Sequence, residues 1–204
     1  MIKFKKTLLL SILVISPIMA NAEAKSVHTC NTSTCEVGDT GPGGGTVFYK
    51  AHTKQIWGQY MEFAPVTWYG GSTDPEVVWC SNTSTIISSP LDGTSTITST
   101  GTAIGTGWTN TQIMMNVGCT WGTANIARNY LGGGKSDWFL PSKDELNTMY
   151  KFFTNTGRGG FSTYDYWSSS ENAPDGAWLQ SFSNDDEFGY YKSAALLVRP
   201  IRAF

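Results

Sequence analysis

Hydrophobic positions along the chain follow three patterns in turn, and each predicts a different kind of element. The first is a mostly apolar run from Thr7 to Met19, interrupted by Pro17, with Lys3, Lys5 and Lys6 before it and Ala20-Asn21-Ala22 after it. A basic start, a short apolar stretch and a small-x-small end are the layout of a secretory signal, and the run is shorter than the ~20 residues a membrane span needs. Cleavage is expected after Ala22, giving a secreted or periplasmic protein. The second pattern is helical. Leu146, Met149, Tyr150 and Phe153 recur at helical spacing behind Ser142 and Glu145, whose spacing is that of a capping box. Two shorter helices are expected around Thr111 to Asn116 and Thr123 to Leu131, the second stopped by Gly132-Gly133-Gly134. The third pattern is short runs rich in β-branched and aromatic residues: "TVFYK" from Thr46, "DWFLP" from Asp137, "YDYWSSS", "AWLQSF", "EFGYYK" and the closing "ALLVRPIRAF". Pro200 inside the last run marks an edge strand or a bulge. Helices packed on short antiparallel strands make an α+β domain.

Composition narrows the setting. With 14 basic and 16 acidic residues the chain is mildly acidic, and it becomes more so once the lysines of the signal leave. This balance argues against nucleic acid and anionic membrane surfaces as partners. Four cysteines lie beyond the signal: Cys30, Cys35, Cys80 and Cys119. In an oxidising compartment an even number reads as two disulfides, and of the three pairings Cys30 with Cys35 and Cys80 with Cys119 are favoured. A crosslink over the longer loop is worth roughly 4 kcal/mol through the unfolded chain. The division is a signal over 1–22, a polar leader with a small cysteine loop over 23–36, and one domain over 37–204. Ser81 to Gly107, rich in Ser, Thr and Gly, is expected to be a long exposed loop. Asn31 and Asn82 head glycosylation-type triplets.

Two glycine clusters invite chemical readings. "GDTGPGGGTVFYK", from Gly38, is too short for a collagen repeat and lacks the strand-before, helix-after context of a dinucleotide loop, so a turn into a strand remains. "GGGKS", from Gly132, has Asn129 where a P-loop requires glycine. No catalytic motif is present, and with only His28 and His52 a histidine relay has little to draw on. Acidic residues cluster at Glu171, Asp175, Asp185, Asp186 and Glu187, where a glycan hydrolase could take an acid and a base; solvated turn charges are the simpler reading.

In order along the chain, "VGDTGPGGGTVFY", "WCSNTST", "GTAIGTGWTNT", "GGGKSDWFLPSKDEL", "YWSSSE", "AWLQSF" and "VRPIRAF" resemble the Lcl C-terminal domain family, named for a bacterial collagen-like adhesin. The resemblance runs from about Val37 to Phe204 and implies a C-type-lectin-like fold, with its terminal strands paired, flanking helices and a loop-rich face. It also implies scaffold roles for Trp138, Pro141, Trp167, Arg199 and Arg202: the tryptophans in the core, the arginines as structural ion or hydrogen-bond partners. The chain departs from the adhesin in having no basic cluster for sulfated polysaccharide. It departs from calcium-dependent lectins in offering only "ENAP" and "FSNDDE", so Glu171, Asn172, Asn184 and Asp185 are the residues a calcium ion would have to use.

The expected function is therefore a non-catalytic, adhesin-like binding module for a surface glycan or protein, with no cofactor, no nucleic-acid partner and homo-oligomerisation left open. The alternatives are a glycan hydrolase and a structural envelope component. Exposed aromatics beside hydrogen-bonding side chains suit such surfaces. The densest set is Glu171, Asn172, Trp178, Gln180, Asn184, Asp185, Asp186, Tyr190 and Tyr191. Two-residue alternation turns one of the two tyrosines inward.

Overall fold

A computed structural model describes residues 28–30, 34–87 and 100–204; the signal segment, the Asn31 triplet and the middle of the Ser/Thr-rich stretch lie outside the described residues. The strands are β1 (Thr46–Gln55), β2 (Gly58–Phe63), β3 (Glu76–Val78), β4 (Asp165–Ala173), β5 (Gly176–Ser181), β6 (Glu187–Tyr191), β7 (Ala195–Leu197) and β8 (Ile201–Ala203). The helices are α1 (Gly107–Val117), α2 (Thr123–Asn129) and α3 (Lys143–Thr156). Two sheets result, one ordered β1-β2-β8 and the other β3-β7-β4-β5-β6. All neighbours are antiparallel except β4 and β7. The mixed helix-and-strand class expected from the sequence is present.

α3 starts where its sequence says. Ser142 accepts the Glu145 amide and Glu145 accepts the Ser142 amide, completing the capping box, and Gly157 closes the helix in the left-handed region. Leu146, Met149 and Tyr150 join Phe63, Phe161, Tyr166 and Phe182 in an aromatic-rich core. Each such apolar side chain, fully buried, stabilises by about 1.5–3 kcal/mol. Glu145 does more than cap: it also accepts the Gly105 amide at 2.8 Å, tying the entry of α1 to the entry of α3. Burial pushes its carboxyl up to about 7, against the pull of the amides around it.

Three expectations need correcting. α1 begins at Gly107, four residues ahead of Thr111, because the Glu145 anchor holds its first turn. "DWFLP" is not a strand; it makes one bridge, Phe139 to Ile201, and Pro141 O accepts the Ser169 amide of β4 at 2.7 Å. The closing run is two strands in different sheets: Pro200, which lacks an amide hydrogen, sits where the chain crosses from β7 to β8. β8 is an edge strand, as Pro200 implied, and it is β2 that carries the pairing between the N-terminal hairpin and the C-terminal strand.

The first glycine cluster is the turn into β1, and it has a second task. Gly43 and Gly45 donate their amides at 2.8 and 2.9 Å to the two carboxylate oxygens of buried Glu62. The loop cradles an anion, and the anion is the chain's own. Arg202, opposite Glu62 across β2 and β8, donates to it at 3.0 Å and to Asp137 at 2.5 Å. Arg199 grips Asp74 with two donors, at 2.5 and 2.6 Å, and Tyr166 and Trp68 also donate to that carboxylate. Both arginines are structural partners and both Trp138 and Trp167 are fully buried, as the resemblance implied. The second cluster forms a single 3-10 turn over Gly132–Gly134, in which Gly133 lies so close to Gly43 that a side chain there would strike its backbone. Disulfides join Cys30 to Cys35 and Cys80 to Cys119, the favoured pairing.

Candidate functional site

The nine residues singled out in the sequence all lie on β4, β5, β6 and the connections between them. Strand register decides which of them meet. Glu171 pairs with Ala177, and Ala177 with Tyr190, so these three share one face of the sheet. Trp178 pairs with Gly189 and Gly176 with Tyr191, which puts Trp178 and Tyr191 on the other face. Asn172 belongs with that second face, since a side chain added at Gly176 or Gly189 would collide with it. Asn184, Asp185 and Asp186 form the turn at the far end of β6.

Two of the nine point into the domain. Glu171 is buried, accepts the Ile87 amide at 2.9 and 3.0 Å, and forms an ion pair with Lys192. Lys192 is itself fully buried and donates further to Thr85 O at 2.9 Å and Pro174 O at 2.7 Å. Burial pushes the Glu171 carboxyl above its ordinary value, and the ammonium and amide offset part of that rise. Gln180 is also buried; it accepts from Asn147 at 2.8 Å and donates to Ser181 O and Asp186 O at 3.0 and 3.2 Å. It fixes the turn that carries the acidic residues. Glu171 and Gln180 therefore have no side chain to offer a ligand in this arrangement. The four oxygen donors named for calcium are also divided: Glu171 faces inward, Asn172 lies on the opposite face, and Asn184 and Asp185 sit at the distant turn.

The other seven are exposed or half-buried. Asn184 donates to Asp186 at 2.8 Å, so the turn holds its own shape. The Lys143 ammonium stands 4.9 Å from the Trp178 ring centroid and pairs with Glu187 at 2.9 Å. Tyr190 and Tyr191 are 45% and 61% exposed. Alternation turns them to opposite faces, yet both are exposed, because β6 is the outermost strand of its sheet. Phe188, beside Tyr190, is exposed too. Sequence reasoning missed Lys192, Lys143, Asn147 and Phe188. Phe188 was readable from the alternation in "EFGYYK"; Lys192 ends that run but has no local sign of its burial, and Lys143 and Asn147 come from α3.

The buried arginines and the two core tryptophans take the scaffold roles that the resemblance assigns them, and a direct comparison supports the family. The family model of the Lcl C-terminal domain matches residues 94–202, more than half of the chain. The chain belongs to this family. No curated protein matches it. The matched part of this Lcl C-terminal domain excludes β1, β2 and β3, although β2 is hydrogen-bonded to β8 and β3 to β7. Membership accords with a surface or binding module. The two disulfides accord with an extracytoplasmic setting, and no helix among the described residues is long and apolar enough to cross a membrane.

Proposed function

We propose that this Lcl C-terminal domain is an exported, non-catalytic, adhesin-like binding module with a C-type-lectin-like fold, and that it recognises surface carbohydrate through β6 and its flanking turns. One observation carries this reading: the outermost strand is solvent-exposed over almost its whole length, and three of its five residues are aromatic. An uncovered strand edge invites partners, and proteins usually blunt such edges unless they are used. Rings of this kind stack on the apolar faces of sugars, while Asn172 and the Asn184 to Asp186 turn supply hydrogen-bonding groups at the two ends. The burial of Glu171 against Lys192 supports the non-catalytic part, since an acid or base for glycan cleavage must reach the scissile bond.

Binding to a glycan array, with and without chelator, tests the proposal. Saturable binding that is lost in a Tyr190→Ala/Tyr191→Ala variant of native fold is the expected result. Binding unchanged in that variant would move the site elsewhere, and reproducible glycan cleavage abolished by Asp185→Asn would replace the module with a hydrolase.

A further inference from the structure

On a different face, four chain segments enclose a recess of about 380 Å³. Trp57 and fully exposed Ile56 come from the turn between β1 and β2, Trp108 and Thr109 from the first turn of α1, and Asp137 from the segment after the 3-10 turn; Met61 and Phe139 form part of the lining. The volume falls at the lower end of the range of small-ligand pockets, about 300–1,000 Å³. Its walls are fixed from behind. Gly105, at φ +95°, admits the Trp57 indole where any side chain would block it, and Gly105 itself is held by Glu145. Asp137 is held through one oxygen by Arg202, which is anchored on buried Glu62.

The chemistry of the walls narrows the occupant. Trp108 is 37% exposed, with the Arg128 guanidinium 4.4 Å from its ring centroid. A cationic ligand stacked on Trp108 would share that ring with the Arg128 guanidinium, and the one wall carboxylate, Asp137, is already paired with Arg202. An anionic ligand would meet Asp137, and neither arginine is free to answer it: Arg202 is engaged by two carboxylates, and Arg128 donates to Ser136 O and Trp138 O at 2.8 and 3.0 Å. A purely apolar ligand would leave the second Asp137 oxygen, which accepts no hydrogen bond among the described residues, without water, at a cost of roughly 1–3 kcal/mol. A neutral polyhydroxylated ring satisfies all three conditions, placing apolar C–H faces on the indoles and hydroxyls on the carboxylate. We infer that the recess between Trp57, Trp108 and Asp137 is a binding site for one neutral sugar residue, separate from β6.

The test uses the intact exported protein and methyl glycosides of glucose, galactose, mannose and N-acetylglucosamine. Saturation-transfer NMR and tryptophan fluorescence follow binding, with a sulfated disaccharide and choline as charged comparators. At least one neutral glycoside should bind saturably, and Trp108→Ala should weaken it roughly 10-fold or more, as loss of an anchoring aromatic does. Ile56→Arg, at a fully exposed rim position, should weaken it as well and guards against a folding defect in the first variant. The Tyr190→Ala/Tyr191→Ala variant should bind the glycoside as the parent does, so failure here and failure of the β6 reading are separable. Absence of saturable binding by every neutral glycoside, preference for a charged comparator, or binding unchanged in both recess variants would overturn the inference.

Discussion

The three-stranded sheet and the outer strand of the five-stranded sheet treat their polar and aromatic residues in opposite ways. In the three-stranded sheet Glu62 and Arg202 face each other across β2 and β8, buried, with glycine amides closing the remaining lone pairs. In the five-stranded sheet the outer strand β6 leaves Phe188, Tyr190 and Tyr191 in solvent. Charge is hidden where the chain is most constrained, and aromatic surface is shown where it is least covered. Residue type therefore does not mark which side chains of this domain are free for a partner. What marks them is whether every neighbour of a side chain is already spoken for.

The sharpest way to break that contrast is to orphan a buried charge. Arg199→Ala leaves Asp74 with only Tyr166 and Trp68 as side-chain partners and no cation, in a site with almost no solvent. A loss of about 3–5 kcal/mol in denaturant unfolding is expected. A loss below about 1 kcal/mol would mean that water reaches the pair.

A smaller effect is expected from Glu145. In the folded protein it keeps its proton up to about pH 7, whereas in the unfolded chain it loses it near the ordinary value of 4.5. Between those values the folded state binds more protons, so stability is greatest below the lower value and falls as pH rises through the window. Burial moves Glu62 and Glu171 in the same direction, and all three carboxyls contribute to the fall. Glu145→Gln should therefore give a shallower slope over that range than the parent, without abolishing it. Thermal unfolding at a series of pH values measures the difference, and an unchanged slope would show that Glu145 stays ionised in the fold.

The local signals in the sequence were reliable where local physics decides. The capping box of α3 uses partners three residues apart, and "EFGYYK" read as a strand because its alternation is self-contained. The fate of Glu171 was not legible: its partner Lys192 lies 21 residues away on the far side of β6, and nothing near either residue announces the pairing. The recess was less legible still, since Trp57, Trp108 and Asp137 become neighbours only after the hairpin, α1 and the post-glycine segment have packed. Asp74, which anchors Arg199, lay in a stretch with no periodic pattern to single it out.

The smallest expected effect completes the comparison from the solvent side. Tyr190→Ala and Tyr191→Ala should each change stability by no more than about 0.5 kcal/mol, as exposed substitutions usually do. Denaturant midpoints within that margin would leave the tyrosines free to serve a partner. A larger loss would show that the outer strand depends on them for its own cohesion.

The glycine cradle around Glu62 also sets an order of events during synthesis. A ribosome delivers Glu62 and its two glycine amides 140 residues before it delivers Arg202. Domains made vectorially begin to collapse before their last strand exists. Until β8 arrives, the hairpin of β1 and β2 carries a carboxylate with amide partners but no cation, in a place that becomes dry only when the sheet is complete. The hairpin cannot become a finished trap on its own. Its closure is postponed to the moment β8 docks, which commits the chain to its final shape late.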